Sequence, residues 1–248
     1  AKDLLPGEAW KTSYKLTFEI YAALSECESL NGQHEKAEVL FDQVLNNAQT
    51  KLEKLKVYYT HAALYLKIGN TSKSLQLGRD AMKLYDISFP EGKNAIKLAA
   101  SWEIIKHLVL FSTKYKKKEK LYHLPECTDP EIVAINQFLI DVSTSAYQED
   151  QNLMVIVVLR IIQQYLKHGY TDAVGWGFSG FSVVTYSGIG LSKLGFDLWD
   201  ITLALHKRIK SSVVKTKQDY TLNAFFNGWK YPLIKNLPDI NNNVKACL

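Results

Sequence analysis

Three features of the 248-residue chain predict an all-α fold, a solenoid of about ten helices arranged as hairpins. Apolar residues recur at three- and four-residue spacing along most of its length. Glycines close long periodic runs at a repeating interval, with Gly32 and Gly69 lying 69 − 32 = 37 residues apart. No stretch alternates with period two over a useful length, so no sheet is expected. The composition, 47% hydrophobic and 22% charged, is that of an ordinary soluble globular protein.

The first helix is expected over "AWKTSYKLTFEIYAALSECESL", with Trp10, Tyr14, Leu16, Phe18, Tyr21, Leu24 and Cys27 as one face. "NGQ" ends it, and "HEKAEVLFDQVLNNA" follows with Ala37, Leu40, Phe41, Val44 and Leu45 on a stripe. "TKLEKLKVYYTHAALYLKI", "GN" and "TSKSLQLGRDAMKLYDI" repeat the plan, giving two clear repeats at about 10–48 and 50–87. Glycine suits the turn after a last helical residue because it takes the left-handed conformation without a Cβ penalty. "KHG" at Gly169 and "KLG" at Gly195 are expected to stop helices in the same way. Helix-turn-helix units recurring at roughly 34–47 residues are the mark of a helical solenoid. The tetratricopeptide pattern is met at its small and large positions by Ala37 and Phe41. It is met in the second unit by Ser74, while Gly78 departs from it.

From 91 to 232 divergent helical pairs are expected. One helix begins after Pro90, and "TKYKKKEKLYHLPECTDP" is a polar break. Asp129 then caps a helix that has Pro130 at its first position. Further helices are placed at about 151–168, 171–191, 196–209 and 214–230, before an irregular tail.

"GWGFSG", residues 175–180, matches the dinucleotide fingerprint G-x-G-x-x-G, which requires a strand before it and a ribose-binding acid at the end of the next strand. An amphipathic helix precedes it instead, apolar at 153, 156, 157, 158, 161, 162 and 165. Ala173, Gly177, Gly180 and Ser187/Gly188 therefore form a stripe of small residues against which a neighbouring helix packs closely. Each glycine costs about 1 kcal/mol of helix propensity relative to alanine, which close packing must offset.

No catalytic residues, metal site or cofactor are expected, and the chain reads as a non-enzyme. The six histidines show no metal-ligand spacing, and G-x-S-x-G, Walker A and H-E-x-x-H motifs do not occur. Cys27, Cys127 and Cys247 form no C-x-x-C pair, which suits a reducing compartment. The net charge of +5 is mild for a nucleic-acid binder. The lysines of "KYKKKEK" (Lys114, Lys116, Lys117, Lys118 and Lys120) read as a solvated helix end more readily than as a nucleic-acid or lipid contact. The longest apolar run, "LMVIVVL", is too short to span a bilayer, and the charged N-terminus is not a signal peptide. A cytoplasmic fragment of a longer protein is expected.

The default use of a solenoid is a concave groove. In tetratricopeptide geometry Glu19, Ala22 and Glu26 of the first unit and Lys56, Tyr59 and Ala63 of the second face that groove, where a partner peptide or an ordinary solvated surface are the two readings.

The order of landmarks carries a resemblance. "LLPGEAWKTSYKLTFEIYAALSECESLNGQHEKAEVLFDQVLNNAQTKLEKLKVYYTHAALYLKIGNTSKSLQLGRDAMKLY", "LPECTDPEIVAINQFLIDVSTSAY" and "FFNGWKYPL" are similar to the tetratricopeptide-like region of large bacterial signalling proteins, over most of residues 4–235. Those proteins join a serine/threonine-kinase-like domain, a predicted ATPase module and, often, GAF and histidine-kinase domains. Gly228 stands where a basic residue or His is expected before the Trp, and the stretch at 175–195 is richer in glycine than the resemblance implies. What the resemblance implies is a regulatory segment that binds a protein partner or a neighbouring domain of the same chain. The alternative is a small-molecule sensor, with an apolar pocket between the helices at 151–168 and 171–191.

Overall fold

A computed structural model describes residues 5–223 together with 237, 238, 240–242 and 245. The chain is all-α. Eleven α-helices are bounded between residues 9 and 221, and among the described residues there is no strand; a single isolated parallel bridge joins Glu126 and Tyr170. It divides into two compact units, Ala1–Phe89 and Pro90–Leu248.

In the first unit the helices are α1 (Ala9–Thr12), α2 (Tyr14–Leu30), α3 (His34–Asn47), α4 (Lys51–Lys67) and α5 (Thr71–Lys83). The two expected hairpins form, α2 with α3 and α4 with α5. Gly32 and Gly69 take the turns at φ 77° and 79°. The expected single first helix is interrupted at Ser13 (φ −140°), and this changes its inward face. Thr17 and Ser25 are buried, whereas Leu16 is 55% exposed and Cys27 lies on the surface. Between α2, α3 and α4 the core is Ala37, Phe41, Val44, Val57 and Leu64. Phe41, the large residue of the repeat pattern, stacks on the His61 ring at 4.0 Å. Thr50 and Glu53 form a capping box at the start of α4, and the Tyr14 hydroxyl donates to Glu53 at 2.9 Å, tying α2 to that cap.

The second unit contains α6 (Lys93–Ser112), α7 (Pro130–Glu149), α8 (Gln151–His168), α9 (Val174–Val183), α10 (Ser192–His206) and α11 (Ser212–Thr221). Asp129 caps α7 through the amides of Glu131 and Ile132, with Pro130 at the first turn as expected. The 214–230 helix of the sequence reading is described only as far as 223, and Gly228 lies outside the described residues. The core runs through Leu159, Ile162, Tyr165, Phe178, Phe181, Leu198 and Leu205.

Two expectations change here. Gly195 does not stop a helix; it lies buried inside α10, where an added Cβ would meet Tyr186 Cβ at 2.8 Å. A π-helical turn at Val184–Gly188 and Gly190 (φ 79°) end the preceding segment instead. The polar break is also not a free loop. Leu121 is fully buried under the Tyr165 hydroxyl, which donates to its carbonyl, and Lys118 pairs with Asp197 and, at 3.6 Å, with Asp200.

A knot of backbone contacts sets the position of α11. Gly169 ends α8 at φ 98° with the Pro125 carbonyl only 2.4 Å from where a Cβ would sit, so any side chain would collide with backbone. That approach lets the Tyr170 amide donate to Pro125 O at 2.7 Å and the Cys127 amide to Tyr170 O at 2.8 Å. Arg208 lies over the Tyr170 ring at 4.0 Å and donates to the carbonyls of Tyr122 and Leu124. Asp172 accepts the amides of Lys210 and Ser211, just ahead of α11.

Candidate functional site, a cleft beside the glycine stripe

The "GWGFSG" segment is helical, lies in α9 and packs against α8, so no strand-turn-helix phosphate cradle exists here. The glycines act through proximity. A Cβ on Gly177 would meet Ile161 and Ile162 at 3.1 Å, and one on Gly180 would meet Val158 Cγ1 at 2.9 Å. Ala173 is buried at the start of the stripe. The stripe ends at Gly180, because Ser187 and Gly188 fall in the exposed π-helical turn.

Where that close contact ends, a cleft of ≈ 340 Å³ opens to solvent. Helix α8 contributes Met154 and Val158 to its wall; α9 contributes Trp176, Ser179, Gly180 and Val183. Ser143, Thr144 and Tyr147 of α7 and Tyr220 and Thr221 of α11 complete it. The α8 and α9 residues lie on the helices where the sequence reading set its alternative pocket. The α7 and α11 walls were not foreseen: Ser143, Thr144 and Tyr147 share a helix face, but nothing local joins them to residues some 75 positions away. Lys217 pairs with Asp141 at 2.9 Å and so holds α11 to α7 just outside the cleft.

The walls are stiff. The Trp176 indole N–H donates to Ser143 Oγ at 2.8 Å, and Ser143 Oγ donates to the Ile140 carbonyl at 2.6 Å. Ser143, Val158 and Ser179 are almost fully buried, whereas Tyr147 and Tyr220 are 52% and 39% exposed and form the rim. No Asp, Glu, Lys, Arg or His lines the cleft among the described residues.

Behind α11, Gln218 is fully buried against Gly175, and among the described residues neither of its amide atoms finds a hydrogen-bond partner. On α6, His107 is 1% exposed and its ring meets that of Phe181 on α9 edge-on. Its Nδ1 lies 2.7 Å from the Glu103 carbonyl, while its Nε2 has no partner among the described residues. Burial holds the His107 pKa below its ordinary value.

In the first unit Glu19, Glu26 and Lys56 are exposed and Tyr59 and Ala63 half-buried, on the adjacent helices α2 and α4. Ala22 packs instead against the buried cluster of Phe41 and Val57. A separate groove of ≈ 820 Å³ runs between α2 and α3, floored by Ile20, Ala23, Leu24, Val39 and Leu40, a feature the sequence reading missed. Glu38 accepts hydrogen bonds from His61 Nε2 at 2.6 Å and from the Tyr65 hydroxyl. Burial lowers the His61 pKa, and burial with the Glu38 contact pushes Tyr65 up to about 12. Beside this cluster lies only ≈ 10 Å³ of space, room for about one water, so it pins α3 to α4 and offers no ligand site.

Among the described residues no three His, Cys, Asp or Glu side chains gather as a metal site, and no helix is long and apolar enough to cross a membrane. No protein-family model matches this chain, and no curated protein matches it either.

Proposed function

We propose that this chain is a non-catalytic, ligand-responsive helical module, acting in the cytoplasm, that binds a small, largely apolar molecule in the α7–α8–α9–α11 cleft. The observation that carries this reading is the ≈ 340 Å³ cleft, whose wall is stiff and, among the described residues, uncharged. That volume lies within the range of small-molecule sites, which are concave, mostly apolar and largely pre-formed. Occupancy reports itself through α11, which supplies Tyr220 and Thr221 to the wall while carrying an amide, Gln218, that has no partner among the described residues. A ligand touching α7 and α11 together stabilises the arrangement in which both are seated.

A thermal-shift screen of neutral and charged fragments tests this, with Thr144→Trp filling the half-buried wall as control. A fragment at ten times its Kd stabilises the folded state by about 1.4 kcal/mol. The proposal requires such fragments to raise the midpoint of the native chain and not of the variant. Equal shifts in both, or no shift with any fragment, count against it.

A second reading draws on the α2–α3 groove: a protein partner or a neighbouring domain docks on the first unit, and the chain relays signals within a multidomain bacterial signalling protein. An apolar floor with Val39 59% exposed is what favours it. The concave-face set Glu19, Ala22, Glu26, Lys56, Tyr59 and Ala63 belongs to the same reading. Val39→Glu changes an exposed position and so leaves the fold intact. On this reading it abolishes signalling by the parent protein, and unimpaired signalling would count against the groove.

A further inference from the structure

We infer that the cleft selects an uncharged, planar molecule that donates a hydrogen bond; this rests on the cleft being a ligand site. Three features of the wall lead there.

The first is charge. With no ionisable acid or base other than two rim phenols lining the cleft among the described residues, a charged ligand would lose hydration and gain no counter-ion from them. The neighbouring charges, Lys217 and Asp141, already neutralise each other.

The second is shape. Trp176 is fixed by its bond to Ser143, and Tyr147 and Tyr220 flank the opening, so ring faces and edges are presented to the guest. At interior packing density the volume admits on the order of ten to twenty non-hydrogen atoms.

The third is the direction of the hydroxyls. Ser143 donates to Ile140 O at 2.6 Å, Thr144 to Ile140 O at 3.3 Å, Ser179 to Trp176 O at 3.0 Å and Thr221 to Lys217 O at 3.1 Å. Every Ser and Thr proton in the wall is engaged by its own helix, as hydroxyls in helices commonly are. The indole N–H of Trp176 is engaged as well. Inside the two rim phenols, what the wall presents are oxygen lone pairs, chiefly those of the half-buried Thr144 and Thr221. A ligand N–H or O–H binds them with no rearrangement, whereas a ligand that only accepts must reach out to a rim phenol or break a hydroxyl's bond to its backbone carbonyl. Exchanging one such bond alters affinity by about fivefold.

The test is isothermal titration calorimetry of the full chain at pH 7.5 with four probes. Indole carries the donor, and benzofuran is its isostere with an acceptor in place of the N–H. Indole-3-acetate and tryptamine add a negative and a positive charge. Indole is expected to bind with a Kd on the order of 1 mM, ordinary for a nine-atom ligand. Benzofuran is expected to bind about fivefold more weakly, and both ions at least tenfold more weakly. Thr144→Trp and, from the opposite wall, Thr221→Trp each abolish indole binding; circular dichroism identifies whichever variant remains folded. Benzofuran matching indole, or either ion exceeding it, overturns the ligand class while leaving the cleft as a site. If none of the four binds, or if a folded blocking variant binds indole normally, the cleft reading falls and this inference with it.

Discussion

Replacing Gly180 by alanine sets two effects of known size against each other. The residue lies within α9, where alanine is better than glycine by about 1 kcal/mol because it restricts the unfolded chain. Opposing this, the new Cβ would sit 2.9 Å from Val158 Cγ1, 3.3 Å from its Cβ and 3.5 Å from its Cγ2. Carbon atoms prefer roughly 3.5–4.0 Å. All three contacts belong to one β-branched side chain on a buried helix, which cannot rotate clear. Overpacking of this kind costs about 1–3 kcal/mol, so steric strain outweighs propensity. Gly180→Ala is expected to destabilise the protein by about 1 kcal/mol in urea denaturation, lowering the midpoint temperature by roughly 2–4 °C. The cause is checked by a double-mutant cycle. Val158→Ala destabilises on its own by leaving a cavity, yet adding Gly180→Ala to it should restore stability, with a coupling of about 1 kcal/mol or more. If Gly180→Ala stabilises the native chain, or if the two changes simply add, the glycine stripe does not serve close approach.

Two further outcomes follow from buried polar groups. Gln218→Met replaces an amide that has no partner among the described residues by an apolar chain of similar length, so stability measured by urea denaturation should rise by about 1–2 kcal/mol; a fall would mean that the amide has a partner in solution. Because burial lowers the His107 pKa, the unfolded state binds the proton first as pH falls. Stability is thus retained above about pH 6.5 and lost below it, by up to about 1.4 kcal/mol from this residue between pH 7.5 and 5.5. His107→Gln should flatten that slope, and an unchanged slope would remove His107 as its source.

Much of the fold was legible because its signals are local. The periodicity of "NLMVIVVLRIIQQYLKHG" placed α8 at 151–168, and all seven positions assigned to its apolar face are buried. Asp129 and Pro130 marked the start of α7 for the same reason. Gly195 misled because a glycine after "KL" looks the same whether it caps a helix or admits a neighbour. Only its contact with Tyr186 separates the two. The break at Ser13 has no strong breaker residue to announce it, and it left Leu16 outward. Half of the cleft was visible in the stripe of small residues. The remainder depends on α11 being brought to α7 and α9 by Arg208, Asp172 and Lys217, contacts that span 38 to 86 positions and leave no trace in periodicity.

The most direct measurement is an indole titration followed by ¹H–¹⁵N correlation spectra of the labelled chain. The indole N–H of Trp176 and the amides of Ser179, Gly180 and Val183 should shift together and saturate with one dissociation constant, while Trp10 and Trp102 stay fixed. Saturable shifts confined to residues outside this cleft, or none at all at millimolar probe, would contradict the account.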